Sequence, residues 1–237
     1  MRKNTEREGK IREDKIIKAI DAMRNGEFVL IFDDDARERE TDMVIGAEFV
    51  TKEKVAKMRT DAGGLICIAI HPEKSKILKL PFLTEVFEYA SKKFDILNEL
   101  KANDIPYDEK SSFSLSINHR KTFTGITDFD RALTISEFAN LAKNGGDFGK
   151  MFRTPGHVPL LRAADGLVLN RKGHTELSVA LAEMAGITPV TCICEMLDPK
   201  SGRALSKKDV LRYARKNNLV FVDGDDIEKA YKTWIKN

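Results

Sequence analysis

Short apolar runs alternate with helical periods along this sequence, which predicts one α/β domain: a mixed, twisted β-sheet between two helical layers, three layers (α/β/α) in all. Runs such as Phe28 to Phe32, Gly64 to Ile70 and Val190 to Met196 are apolar throughout or nearly so, as strands covered on both faces must be. Between them lie stretches whose apolar residues recur every three or four positions. No Pro/Ser/Gly-rich linker and no internal repeat divides the chain, so a single domain over residues 1–237 is expected.

Ile16, Ile17, Ile20 and Met23 share a helical face that stops at Asn25-Gly26, a C-terminal cap pattern, so a helix leads into the strand at 28–32. An acidic turn follows. Residues 43–50 read as a second strand and 52–61 as a helix, and Gly63-Gly64 leads in the strand that ends at Ile70. Residues 73–110 mix apolar and charged side chains without a clean period and are expected to be loops with short helices. Phe113 to Ile117 alternates strictly and is a strand. From Asp130 to Lys143 a turn and a helix are expected, with Thr134 as N-cap and Glu137 at capping-box spacing. Pro155-Gly156 reads as a rigid turn, and 166–170 as a short strand or turn. The remaining elements are helix 175–185, strand 190–196, helix 206–217, strand 219–222 and helix 225–236.

The chain carries 40 basic and 37 acidic residues for a net charge of +3, too mild a bias to call for a polyanionic partner. Nucleic acid is therefore not expected, the more so because no base-stacking aromatic cluster accompanies the lysines. No apolar run nears the roughly 18–20 residues that span a bilayer, and Met1 to Arg7 lacks the apolar core of a secretory signal. A cytoplasmic protein without a membrane partner is expected. Cys67, Cys192 and Cys194 are odd in number and lack zinc-type spacing, so reduced thiols in a packed core are the expectation.

Asp33 to Asp42 holds six carboxylates and two arginines, a local charge of −4 inside a basic chain. If extended, it projects Glu38, Glu40 and Asp42 from one face with neighbours about 6–7 Å apart. Such a run reads either as a solvated loop after an edge strand or as oxygen ligands for magnesium or manganese, with substrate oxygens completing the shell. Arg171-Lys172-Gly173-His174-Thr175-Glu176 opens a helix, where free N–H groups favour an anion such as phosphate; an ordinary capped helix with a basic flank fits it as well. His174 can be a metal ligand, an acid/base group or a surface histidine, and His157 a cleft or a loop histidine. Glu195 interrupts an apolar strand, so it lies at the exposed end or is buried with a raised pKa suited to proton transfer.

In order along the chain, Arg37-Glu38-Arg39-Glu40-Thr41-Asp42, Asp61-Ala62-Gly63-Gly64-Leu65-Ile66-Cys67, Thr124-Gly125-Ile126-Thr127 with Asp130-Arg131, Pro155-Gly156-His157-Val158, Arg171 to Glu176 and Cys194-Glu195-Met196 resemble the 3,4-dihydroxy-2-butanone 4-phosphate synthases in their standalone form. The resemblance implies conversion of D-ribulose 5-phosphate to L-3,4-dihydroxy-2-butanone 4-phosphate and formate in riboflavin biosynthesis. It further implies metal-stabilised enediolate formation, skeletal rearrangement and loss of carbon 4. A homodimer with active sites near its interface and two Mg2+ (or Mn2+) ions per site are part of the same expectation.

Residue by residue, the resemblance makes Glu38 and His174 metal ligands and His157, Glu195 and Asp42 catalytic groups. Arg37, Glu38, Asp42, Arg171, Lys172, Gly173, His174, Thr175 and Glu195 are expected substrate contacts, and Asp33, Asp35, Glu40, Cys67 and Thr122 are additional candidates. The stretch from Leu80 to Lys110 resembles an archaeal-type elaboration. A metal-dependent sugar-phosphate isomerase or aldolase is the competing enzyme reading, since it needs the same cations.

Overall fold

The computed structural model describes residues 2–101, 103–108 and 110–236, with side chains from residue 13 onward. Helix α1 (Arg2–Arg24) buries Ile16, Ala19 and Met23 and stops before Gly26, as its sequence period predicts. Strands β1 (Val29–Phe32) and β2 (Thr41–Gly46) flank the acidic turn. Helix α2 (Lys52–Lys57) runs into a π-helical turn at Met58–Ala62, then strand β3 (Cys67–Ile70). Short helices α3 (Pro72–Ile77), α4 (Leu83–Ala90) and α5 (Ile96–Glu99) fill the aperiodic region before strand β4 (Phe113–His119). Helices α6 (Asp128–Asn144) and α7 (Phe148–Met151) precede strand β5 (Phe152–Arg162). Helix α8 (His174–Met184), strand β6 (Val190–Glu195) and a small hairpin of β7 (Leu197–Asp198) with β8 (Arg203–Ala204) follow. Helix α9 (Lys207–Lys216), strand β9 (Val220–Asp223) and helix α10 (Gly224–Trp234) close the fold.

Seven strands form one sheet in the order β4-β5-β3-β6-β2-β1-β9. β5 runs parallel to β3 and β9 parallel to β1, while the other neighbours are antiparallel, so the sheet is mixed as expected. Alternate side chains of a strand point to opposite faces. Accordingly Leu30, Met43, Ile45, Ile68 and Cys192 share one core with Val55, Ile135, Phe138 and Val210 from α2, α6 and α9. Val29, Ile31, Val44, Ala69 and Ile193 share the other with Met23, Leu177, Leu181 and Ile227 from α1, α8 and α10. These two cores are the interfaces of an α/β/α sandwich. No helix among the described residues is long and apolar enough to cross a membrane.

Local expectations change at three places. The second strand covers Thr41–Gly46, and residues 47–49 turn away as a short 3-10 helix. Thr127, not Thr134, caps α6: its Oγ1 accepts the Asp130 N–H at 3.1 Å. Thr134 lies within that helix, donating to the Asp130 carbonyl and accepting the His119 N–H, both at 3.0 Å. Of the two alternatives for 166–170 the turn holds, as a 3-10 turn at Leu167–Leu169. Most consequentially, Pro155-Gly156 sits inside β5, a strand that two prolines and a glycine disguise in the sequence. Those prolines are tolerated because β3 pairs only with residues 160–162 of β5, and its ladder with β4 is irregular between Phe113 and Asn118.

Phe138 is fully buried and packs edge-on against Phe148 and Phe152, so it joins α6, α7 and β5. Phe138→Ala is expected to cost about 3–5 kcal/mol, measured as the shift in urea unfolding midpoint at constant m; a cost below about 1 kcal/mol would show that this side of the sheet can repack freely.

Candidate metal and anion site

Sheet register places the first half of the site. Asp42 on β2 lies opposite Glu195 on β6, and Cys67 on β3 lies opposite Ile193. Two-residue periodicity then turns Asp42 with Val44, and Glu195 with Ile193, toward the α8 face. There α8 begins at His174, after Gly173 as its N-cap.

The acidic turn is folded around Asp33. This buried carboxylate accepts the Glu38 N–H at 2.9 Å through Oδ2 and the Glu40 N–H at 3.0 Å through Oδ1, satisfying donors the turn would otherwise leave bare. Arg39 takes a left-handed φ of 59° at the sharpest point. The result brings Glu38, Glu40 and Asp42 to one cavity of about 460 Å³, through a folded turn and not through the extended alternation expected from the sequence. Cys67, Arg171, Thr175 and Glu195 line the same cavity.

His174 joins the two halves. Its Nδ1 lies 3.3 Å from Glu38 Oε2, and its Nε2 lies 3.7 Å from Asp42 Oδ1. Both His174 Nε2 and Asp42 Oδ1 are buried without a hydrogen-bond partner, a costly condition that an ion or water between them relieves. Asp33, Glu38 and His174 offer ligand atoms all within 4.8 Å of one another. Carboxylate oxygens with one imidazole nitrogen suit a divalent cation, and the oxygens suit magnesium or manganese in particular.

Crowding shifts the protonation of these groups. Burial alone lowers His174, but the Asp42 charge, the Glu38 hydrogen bond and Asp33 outweigh it and push the imidazole up to about 10. Burial raises Asp42 to about 8; Glu195, Glu38 and Glu40 add to the rise and His174 opposes it. Glu40 is raised by burial first and by Glu38 and Glu195 next. Glu38 moves the other way: burial opposes, yet the His174 hydrogen bond and charge hold it below the usual carboxylate range.

Glu195 is half-buried at the end of β6, which resolves its two sequence readings toward the strand end. Its Oε2 accepts the Leu65 N–H at 2.7 Å. A β-carbon at Gly64 would overlap this carboxylate, so glycine there lets Leu65 hold it.

Arg171 forms the anion side of the site. Its Nε and Nη2 reach Asp108 Oδ2 at 2.7 and 2.5 Å, and its Nη1 reaches Glu176 Oε2 at 2.5 Å. Arg37 Nη2 reaches the same Asp108 oxygen at 3.1 Å. Glu176 is anchored in turn by the Ala164 N–H at 2.8 Å. The Arg171 guanidinium lies over Gly173, where any β-carbon would strike it.

Other expected residues lie elsewhere. The Lys172 side chain turns to Glu228 at 2.6 Å, away from the cavity, because α10 presents that carboxylate beside it. Asp35 is exposed and borders a separate recess with Lys15 and Lys207. Thr122 is buried and donates to the His119 carbonyl at 2.8 Å, so its hydroxyl serves the turn after β4. His157 is exposed on β5, its Nδ1 within 3.3 Å of the Asn118 side chain, and it does not line the cavity of its own chain. Conversely, Tyr107 and Asp108 line the cavity although nothing in the aperiodic 73–110 region marks them. Glu176 stood within the histidine hexapeptide, where its burial was not legible.

A hard-cation ligand set beside an arginine-lined anion subsite, on an α/β sandwich, is the arrangement of a metal-dependent enzyme with an anionic substrate. Residues 17–230 match the sequence profile of 3,4-dihydroxy-2-butanone 4-phosphate synthase. The chain is similar to the synthase of that name from Methanothermobacter thermautotrophicus, 53% identical over 218 residues (91% of this chain, 95% of the relative). It is likewise similar to that from Methanosarcina mazei, 52% identical over 232 residues (95% and 94%). A crystal structure of a 3,4-dihydroxy-2-butanone 4-phosphate synthase in complex with two magnesium ions aligns with a TM-score of 0.70 at 32% identity, covering 90% of this chain and 94% of that one. The chain belongs to the 3,4-dihydroxy-2-butanone 4-phosphate synthase family and is an enzyme.

The raised pKa values set a sign for stability. His174 is about 10 in the fold against 6.5 for its ordinary value, and Asp42 about 8 against 3.8. Both are raised, so each contributes stability that is fully present below its ordinary pKa and lost as pH rises through its folded one. Chelator-treated protein is expected to lose melting temperature from about pH 4, where the Asp42 contribution begins to go, up to about pH 10, and His174→Gln to flatten the part of that slope above pH 6.5. Parallel profiles for the two proteins would contradict the assignment.

Proposed function

We propose that this cavity converts D-ribulose 5-phosphate to L-3,4-dihydroxy-2-butanone 4-phosphate and formate, as a homodimer whose single domain spans residues 1–237. The observation that carries the reading is the meeting of Glu38, Asp42 and His174, distant in sequence, beside Arg171. Glu38 and His174 would hold the cation; the unsatisfied His174 Nε2 and Asp42 Oδ1 and the oxygen-rich donor set fit Mg2+ or Mn2+, two ions per site in this reading. When bound, such ions supply Lewis acidity toward the sugar's carbonyl and hydroxyl oxygens.

The chain's own groups do the rest. Arg171, Arg37 and the first-turn amides around Thr175 hold the phosphate, fixing the reacting carbons by binding energy spent at a remote group. Asp42, lifted toward neutral pH by burial, can take and return a proton at the carbon backbone of the sugar. Glu195, aimed by the Leu65 N–H through Oε2, keeps Oε1 for a second proton transfer. His157 acts from a second protomer: it is exposed, and the bare side chains of Phe123, Ile126 and Phe129 stand on the turn and helix that follow β4, its pairing strand. Three unpaired, buried cysteines accord with a cytoplasmic setting.

Ribulose 5-phosphate with magnesium is expected to yield formate, read by proton NMR; an isomerase or aldolase would consume the sugar phosphate without it. Glu38→Gln should cut turnover about 100-fold or more and weaken activation by magnesium with an unchanged circular dichroism spectrum. Equal activity at limiting magnesium would remove Glu38 from the cation site. Arg171→Ala should raise KM by about tenfold or more with a smaller effect on kcat; unchanged kinetics would remove it from the phosphate subsite.

A further inference from the structure

The side chain with the most unusual placement is Asp108. A single oxygen, Oδ2, receives Arg171 Nε and Nη2 at 2.7 and 2.5 Å and Arg37 Nη2 at 3.1 Å. Both guanidinium groups face the cavity, Tyr107 stacks its ring 5.9 Å from Arg37, and Glu176 takes the remaining Arg171 fork at 2.5 Å. Converging arginine donors on one oxygen is the pattern a phosphate oxygen calls for. A carboxylate therefore already stands where an incoming anion would find its donors, and the two cannot share them.

We propose that Asp108 is a resident counter-anion of the phosphate subsite, displaced when the substrate's phosphate binds, and so a specificity-determining residue. The inference rests on the reading of Arg171 as the phosphate contact. A neutral sugar has nothing to exchange for the Asp108 contacts, whereas a phosphate dianion offers more charge and more acceptor oxygens than one carboxylate. The displaced carboxylate would thus set a threshold that only a phosphorylated ligand crosses. A purely structural Asp108, which merely orients the arginines, predicts the opposite sign on removal.

Inorganic phosphate is the probe, with the full chain in magnesium buffer, read as the competitive inhibition constant against ribulose 5-phosphate and as 31P NMR line broadening. Asp108→Asn and Asp108→Ala should each tighten phosphate by about tenfold, the scale of one lost charge-assisted competitor, with both variants checked for a native circular dichroism spectrum and melting transition. Phosphate binding that is unchanged or weaker in natively folded variants overturns the proposal. Arg171→Ala separates the premise from the inference. If it leaves phosphate binding intact, the phosphate subsite itself is misplaced; if it weakens phosphate while neither Asp108 variant tightens it, the competition alone is refuted.

Discussion

The site depends on one crowded interaction, the buried imidazole of His174 lying between Glu38 and Asp42. An imidazole and carboxylates far apart in sequence are desolvated together, and neither facing atom, His174 Nε2 or Asp42 Oδ1, is satisfied by the protein. Left alone, such an arrangement is a liability, since buried unpaired polar atoms and neighbouring like charges both cost free energy. It persists because the apolar ladder around it leaves no alternative. β2 and β6 are pinned in register from Asp42–Glu195 to Gly46–Thr191, and a slip of one residue would turn Val44 and Ile193 out of the core.

Each half of the site is fixed by a different device. Asp33 uses its carboxylate on two backbone amides to fold the acidic turn, so one acid of the run is structural while Glu38 remains available. The start of α8 is fixed by packing: Leu177, Ala180 and Leu181 are fully buried against the sheet, which sets where His174 and Thr175 emerge. Rigid strands and a buried helix therefore place the ligands, and the turn supplies only the last carboxylates. This division is the one a preorganised cation site requires.

Much of this was legible from residue order. The three layers followed from helices alternating with buried strands; Glu38, Glu40 and Asp42 do meet, but through a folded turn where an extended segment was expected. Legibility ended where tertiary pairing overrides local chemistry. β5 carries Pro155, Gly156 and Pro159, which signal a turn, yet an irregular ladder with β4 and a short pairing with β3 make it a strand. Lys172 looked like a phosphate contact until α10 offered it Glu228. Asp108 was invisible because nothing local distinguishes a solvated aspartate from one held by two arginines that lie 71 and 63 residues away.

The central claim is that one cation is gripped jointly by Glu38 and His174. Crystals grown with Mn2+ and measured for anomalous scattering test it most directly. The account predicts an anomalous peak within about 2.5 Å of both a Glu38 carboxylate oxygen and a His174 imidazole nitrogen; a peak bound to the acidic turn alone, with His174 left at hydrogen-bond distance from it, would contradict the account.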